Sequence, residues 1–81
     1  MELKEALEVK VCTDIRDGLK MAIHESGMKQ AVVAERAGLK ANQLCDIINK
    51  RRKLEANELI RLCHIIGLTP EKMYELAEKT A

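Results

Sequence analysis

The stretch from Gln30 to Asn49 limits the possible folds of this chain more than any other part of it. Its apolar residues recur at helical spacing on both sides of Gly38, which predicts two short helices joined by a tight turn. Glycine tolerates the positive φ that such a turn needs, and Ala34 supplies a small side chain where the two helices must cross. The stretch runs directly into a basic cluster, residues 50–53. A helix pair, a glycine turn and an adjacent basic cluster are together typical of a DNA-binding unit.

Helical periodicity continues outside this stretch, so we predict an all-α fold. The predicted helices are residues 14–25, 30–37, 41–49, 56–66 and 70–79. Thr13 or Asp14 is expected to cap the first helix, and Thr69 followed by Pro70 is a strong start signal for the last. The residues expected to face the core are Ile15, Leu19, Ala22, Ile23, Val33, Ala34, Ala37, Leu39, Leu44, Ile47, Ile48, Leu59, Leu62, Cys63, Ile66, Met73, Leu76 and Ala77.

A chain of 81 residues is expected to form one domain, which we place at residues 13–79, preceded by an N-terminal extension at residues 1–12. Within the extension, Leu3, Leu7 and Val11 recur every four residues, which favours a helix. Residues 8–12 also alternate between polar and apolar, which is typical of a short strand or arm. Of the two, we favour the helix.

The net charge of +1 hides an uneven distribution along the chain. Residues 29–53 contain seven Lys or Arg and two Asp or Glu, so this middle part carries +5. Residues 1–28 and residues 54–81 each carry −2. A basic middle part between acidic flanks indicates a local binding surface for a polyanion.

The three cysteines, Cys12, Cys45 and Cys63, are odd in number and lack Cys-x-x-Cys spacing, which disfavours a disulfide-bonded secreted protein. The sequence has no apolar run of membrane-spanning length and no signal peptide, so we expect a cytoplasmic protein that does not contact a membrane. No metal site, cofactor or small-molecule ligand is indicated. The sequence also lacks a catalytic side-chain arrangement and a phosphate-binding glycine loop, so we do not expect an enzyme.

Residues in and around the helix pair match a known pattern. They are Gly27-Met28-Lys29-Gln30, Ala34-Glu35-Arg36-Ala37-Gly38-Leu39, Leu44, Ile47, Asn49, Glu58-Leu59 and Ile65-Ile66-Gly67-Leu68. Through them, roughly residues 14–77 resemble the phage Cro/repressor-type helix-turn-helix family, which includes lambda repressor-like DNA-binding domains. The resemblance implies a compact five-helix domain whose third helix lies in the major groove of DNA.

The same resemblance implies which residues contact DNA. The expected base contacts are Lys40, Ala41, Asn42, Gln43 and Asp46. The expected contacts to the DNA backbone are Lys29, Gln30, Asn49, Lys50, Arg51 and Arg52. Helical geometry alone places Asn42, Asp46 and Asn49 opposite the apolar face of the helix at residues 41–49. Asn is suited to adenine, and Asp can accept only from an amino group such as cytosine N4.

The chain departs from the family pattern at several positions. Lys50 replaces a usual glycine, and Leu54 a common proline. Ala41 offers only a methyl contact, and Asp46 brings a negative charge to the expected groove side. The Ile23 and Ile48 pair is expected to form an apolar contact where relatives often have an Arg–Glu ion pair.

The sequence thus predicts a sequence-specific transcriptional regulator that binds double-stranded DNA, and we favour a repressor. The alternative is an antitoxin or a protein-interaction adaptor with the same fold. One short helix reads few base pairs, so we expect a homodimer. The dimer surface would come from the C-terminal segment, through Leu68, Met73 and Tyr74, or from residues 1–12.

Overall fold

Five α-helices and no strand lie within residues 13–80, the part of the chain that this computed structural model describes. They are α1 (Ile15–Ser26), α2 (Gln30–Arg36), α3 (Ala41–Ile48), α4 (Ala56–Ile66) and α5 (Pro70–Thr80). The predicted all-α, five-helix fold is confirmed, with every helix boundary within one residue of its predicted position. The predictions for the conformation of residues 1–12 lie outside the described residues.

The ends of the helices follow their local sequence. Asp14, one of the two predicted caps, begins α1 by accepting a hydrogen bond from the Arg16 backbone N–H at 2.9 Å. Thr69 caps α5 in the same way, because its hydroxyl oxygen accepts from the Lys72 backbone N–H at 3.2 Å. The predicted positive φ at Gly38 is confirmed at 76°, which allows α2 to turn directly into α3.

The core is formed by apolar side chains from all five helices. Thirteen buried side chains form one cluster, which includes Ile23 and Ile48 as the apolar pair expected between α1 and α3. Most residues expected to face the core are buried, but four of them are only partly buried: Ile15, Leu59, Ile66 and Leu76. The helix α4 also carries an unexpected buried charged residue, Glu58, with only 5% of its surface exposed. Its partners belong to the candidate site.

The last helix, α5, packs most extensively against α1. Gly18 makes the close approach possible, since a Cβ at this position would overlap the carbonyl oxygen of Met73. Met73 is therefore fully buried. The prediction that Met73 could leave apolar area for a dimer surface is wrong, because its side chain fills the core beside α1. Leu68 and Tyr74, the other two residues of that prediction, are half-buried.

Candidate DNA-binding surface

The helix α3 presents one apolar face to the core and one polar face to solvent. Leu44, Ile47 and Ile48 are buried, which fixes the rotation of the helix about its axis. The five predicted base-contact residues are accessible: Lys40, Ala41 and Asn42 are exposed, and Gln43 and Asp46 are half-buried. The tertiary structure therefore leaves the predicted reading face open.

Two side chains on α3 are hydrogen-bonded to the backbone of their own helix. The Oε1 atom of Gln43 accepts from the Lys40 backbone N–H at 2.9 Å, which satisfies a donor at the start of α3. The Nδ2 atom of Asn49 donates to the Cys45 carbonyl oxygen at 2.9 Å and lies 3.3 Å from the Cys45 sulfur. Sequence reasoning placed both residues near DNA but did not predict these bonds.

The helix α3 ends at a residue with left-handed backbone conformation. Lys50 has φ of 65°, the one positive φ at a non-glycine residue within residues 13–80. The Lys50 N–H donates to the Ile47 carbonyl oxygen at 3.0 Å, and the Arg51 N–H donates to the Asp46 carbonyl oxygen at 2.7 Å. This pair of bonds is a Schellman motif, whose left-handed position is usually glycine. The backbone thus explains why the family pattern has glycine where this chain has Lys50.

The cationic residues of the 50–53 cluster differ in their surroundings. The Lys50 ammonium group lies 3.1 Å from a carboxylate oxygen of Asp17 on α1. Arg51, whose side chain is 65% exposed, lies 3.2 Å from Asp46. Lys53 is exposed, and no ion pair of its side chain is found in the described part of the chain. Exposed pairs of this kind are weak, so Lys50 and Arg51 can exchange their acids for phosphate at small cost.

Arg52 is held far more firmly than its neighbours. Its guanidinium group lies 3.0 Å from the buried carboxylate of Glu58 on α4, and its own side chain is 33% exposed. Glu58 also accepts a hydrogen bond from the Glu55 N–H at 3.1 Å, at the start of α4. A second guanidinium nitrogen of Arg52 is buried and has no hydrogen-bond partner among residues 13–80. Arg52 therefore links the basic cluster to α4, while its prediction as a phosphate contact stays a prediction.

The helix α1 supports the same loop from the other side. The Arg16 guanidinium group donates to the carbonyl oxygen of Arg52 at 3.1 Å. Asp14 holds Arg16 in place, with 3.0 Å between the Arg16 Nε and an Asp14 carboxylate oxygen. The hydrogen bond from the Arg16 side chain lowers the pKa of Asp14 to about 2, and the same bond raises the pKa of Arg16.

Sequence reasoning missed Arg16, Glu58 and Arg61 as supporting residues. Arg61 on α4 donates to the carbonyl oxygen of Ala37 at 3.2 Å, at the turn between α2 and α3. Glu58 lies three residues after Glu55, the N-cap of α4, which is the usual place for an acid that accepts from the cap N–H. That local signal could have identified Glu58, whereas nothing local marks Arg16 or Arg61.

The remaining predicted contacts lie at the beginning of α2. Lys29 precedes this helix and Gln30 is its first residue, and both are exposed. Within residues 13–80, no three His, Cys, Asp or Glu side chains are grouped so as to hold a metal ion. Burial raises the pKa of the Cys63 thiol, which lies in the core. None of the described helices is long and apolar enough to span a membrane.

Comparison with known proteins agrees with this geometry. Residues 18–79 match the family model of the Cro/C1-type helix-turn-helix DNA-binding domain. The matched region contains α2, α3 and the basic cluster. Comparisons with curated proteins and with solved structures found no match. Since the family model covers more than half of the sequence, the chain belongs to the family of Cro/C1-type helix-turn-helix DNA-binding domains.

Proposed function

We propose that this protein is a sequence-specific transcriptional regulator, acting as a repressor, that places α3 in the major groove of double-stranded DNA. One observation carries the proposal: the accessible polar face of α3 continues directly into the exposed part of the basic cluster. Bases and phosphates lie side by side in the same groove, so a reading helix needs cations at its end. Residues 13–79 form the DNA-binding domain in this proposal, and catalysis has no part in it.

The proposed roles follow the accessibility of each side chain. We propose base contacts for Lys40, Ala41, Asn42, Gln43 and Asp46. We propose contacts to the DNA backbone for Lys29, Gln30, Lys50 and Arg51. Arg52 is a weaker candidate than Arg51, because its charge is already paired with buried Glu58. The proposed contact of Asn49 depends on its amide orientation.

A selection from a pool of random duplex DNA tests this function. The purified protein is expected to enrich one sequence, and Asn42→Ala should weaken specific binding by about 1–3 kcal/mol while sparing non-specific binding. Arg51→Gln should instead weaken binding to all sequences and lower the salt slope by about one unit. Absence of any enriched sequence, together with salt-independent binding, would rule out the proposal.

We further propose that the protein represses as a homodimer. A groove between α1, α4 and α5 has an apolar floor of Ala22, Ile66, Leu68 and Leu76. Its rim contains two acidic and two basic residues, Glu25, Lys72, Glu75 and Lys79. The rim therefore has no net charge that would repel a second copy of the chain. Residues 1–12 are a second candidate for the contact, because their apolar residues exceed what a solvated leader requires.

Sedimentation measures how the groove and residues 1–12 each contribute to dimerisation. The full chain should sediment as a dimer, either alone or on a palindromic duplex, and Leu68→Lys should shift it toward the monomer. Deletion of residues 2–11 tests the extension in the same experiment. Monomers throughout, with undiminished DNA binding, would contradict the dimer.

The same groove supports the alternative function, an antitoxin or adaptor whose main partner is a protein. In that case Leu68→Lys would abolish partner binding while leaving DNA affinity unchanged. The DNA selection distinguishes between the two functions, since an adaptor protein would enrich no DNA sequence.

A further inference from the structure

The hydrogen bonds within α3 fix which polar atoms Gln43 and Asn49 can offer to a base. The partner of Gln43 is a backbone N–H, so the amide oxygen must be the atom that faces it, at 2.9 Å. The partner of Asn49 is a backbone carbonyl oxygen, so its amide nitrogen must face the helix, at 2.9 Å. Both orientations follow from donor and acceptor chemistry, because the reversed amides would place like groups together.

The atoms left free differ between the two amides. The Nδ2 atom of Asn49 lies within hydrogen-bonding distance of both the carbonyl oxygen and the sulfur of Cys45, which can take both of its N–H groups, so Asn49 offers the acceptor Oδ1. Gln43 offers both N–H groups of Nε2, while its Oε1 already accepts one hydrogen bond and keeps one lone pair. Asp46 is also an acceptor, with one carboxylate oxygen near Arg51 and the other free. Phosphate oxygens accept hydrogen bonds, so the free oxygen of Asn49 does not suit the phosphate contact expected from the sequence.

Asn42 provides the internal contrast. It is exposed and its side chain makes no hydrogen bond within the described part of the chain, so both amide atoms are available. Asn42 can therefore pair with adenine through N6 and N7 together, which needs one donor and one acceptor. Gln43 and Asn49 lack this freedom, because one amide atom of each is already hydrogen-bonded to the backbone.

We propose that α3 reads a half-site with a fixed donor and acceptor pattern. Gln43 donates to a base that presents acceptors in the major groove, and guanine, with O6 and N7 side by side, fits best. Asp46 and Asn49 accept from bases that present amino groups, namely cytosine through N4 or adenine through N6. The inference rests on the proposed function and specifies the DNA sequence class that this function requires.

Gln43→Glu is the sharpest test of the donor role. Glutamate keeps an oxygen for the Lys40 N–H and loses only the donor, so the melting temperature should not fall. Selection from the random pool should then lose its preference for guanine at one position. For the variant, the affinity for the wild-type site divided by the affinity for a duplex altered at that position should fall about tenfold to a hundredfold. The ratio of the two affinities removes the uniform effect of the added negative charge.

An unchanged preference at every position in Gln43→Glu would overturn the donor role. So would a wild-type site in which no single replacement of a G·C pair by an A·T pair lowers the affinity.

Asn49→Ala tests the acceptor role. If Asn49 accepts from an amino group, the variant should relax the preference for cytosine or adenine at one position, by about tenfold. An equal loss of affinity for all sequences would indicate a phosphate contact and overturn this part of the inference. Failure of the wild type to enrich any sequence would remove the proposed function itself. An enriched sequence that both variants share with the wild type would overturn only the inference.

Discussion

The two helices of the DNA-binding unit end in the same backbone motif but use opposite residues at its critical position. At the end of α2, the Gly38 N–H donates to the Glu35 carbonyl at 3.1 Å, and the Leu39 N–H donates to the Ala34 carbonyl at 2.8 Å. At the end of α3, the equivalent bonds start from the N–H groups of residues 50 and 51. The left-handed residue is Gly38 with φ of 76° in one motif, and Lys50 with φ of 65° in the other.

The residue at the left-handed position indicates a different role for each turn. A side chain in the left-handed region costs about 1–2 kcal/mol, which Gly38 avoids. Lys50 carries this cost at the end of α3, where we propose a contact with the DNA backbone. Strain retained at such a place fits a functional position, because glycine would give a more stable turn without the charge.

The supports of the two turns also differ. One arginine, Arg61, donates to the Ala37 carbonyl beside the first turn. The second turn is held by a series of charged groups. Arg16 donates to the Arg52 carbonyl oxygen, Asp14 forms an ion pair with Arg16, and Glu58 forms an ion pair with the Arg52 side chain. The end of α3 should therefore be more sensitive to charge and pH than the end of α2.

The largest effect is expected from Gly38→Val. A β-branched residue at this φ should lower the free energy of unfolding by about 2–3 kcal/mol. Because no atom of the described chain beyond the two adjoining residues lies within 4 Å of a Cβ built at Gly38, the cost is conformational rather than a clash. Chemical denaturation measures the loss, and Gly38→Ala should lose less. Equal stability of Gly38→Val and the wild type would contradict the turn geometry.

Arg52→Gln should lower the free energy of unfolding by about 2 kcal/mol, because it leaves the buried Glu58 carboxylate without its cation. The salt slope of DNA binding should stay at the wild-type value, in contrast to the one-unit fall expected for Arg51→Gln. Denaturation and salt titrations measure the two effects separately. A one-unit fall in the slope for Arg52→Gln would favour the phosphate contact predicted from the sequence.

Acid should weaken the support of α3 through Asp14. Its pKa is lowered from 3.8 to about 2, so the extra stability is present above pH 4 and is lost as the pH falls toward 2. Asp14→Asn keeps a cap oxygen but cannot titrate, so it should cost about 1 kcal/mol at pH 6, reduced by solvent screening. The difference between the two proteins should shrink as the pH falls through 2 and vanish below it. A difference independent of pH would mean that the Asp14–Arg16 ion pair contributes nothing to stability.

The smallest effect is expected from Lys50→Gly. Removing the left-handed side chain should raise the free energy of unfolding by about 0.5 kcal/mol after loss of the weak pair with Asp17. The salt slope should fall by about one unit, so stability and DNA binding change in opposite directions. Lys50→Asn is the matched control, because asparagine tolerates this conformation without a charge. Lower stability together with an unchanged slope would contradict the functional interpretation of Lys50.

The helix boundaries, the turn and the accessible face of α3 could all be predicted from the sequence. Each depends on residues within a few positions of one another, through apolar periodicity, capping and the φ tolerance of Gly38. The departure at Lys50 was also visible as a lysine in place of the usual glycine. Periodicity placed Met73 on the core side of α5, but only the approach of α5 to Gly18 shows that the side chain is fully enclosed and leaves no area for a dimer surface.

The sequence by itself determined that residues 13–80 form five helices, with a glycine turn before the third and a basic cluster after it. The tertiary structure alone decided how the charges in that cluster are used. Lys50 meets Asp17 across 33 positions of sequence, and Arg16 reaches the Arg52 carbonyl across 36. Such pairs depend on how α1, α3 and α4 pack, since packing sets which charges lie within a few ångströms and which are shielded from water. For this reason four consecutive cations that look equivalent in the sequence occupy different environments in the fold.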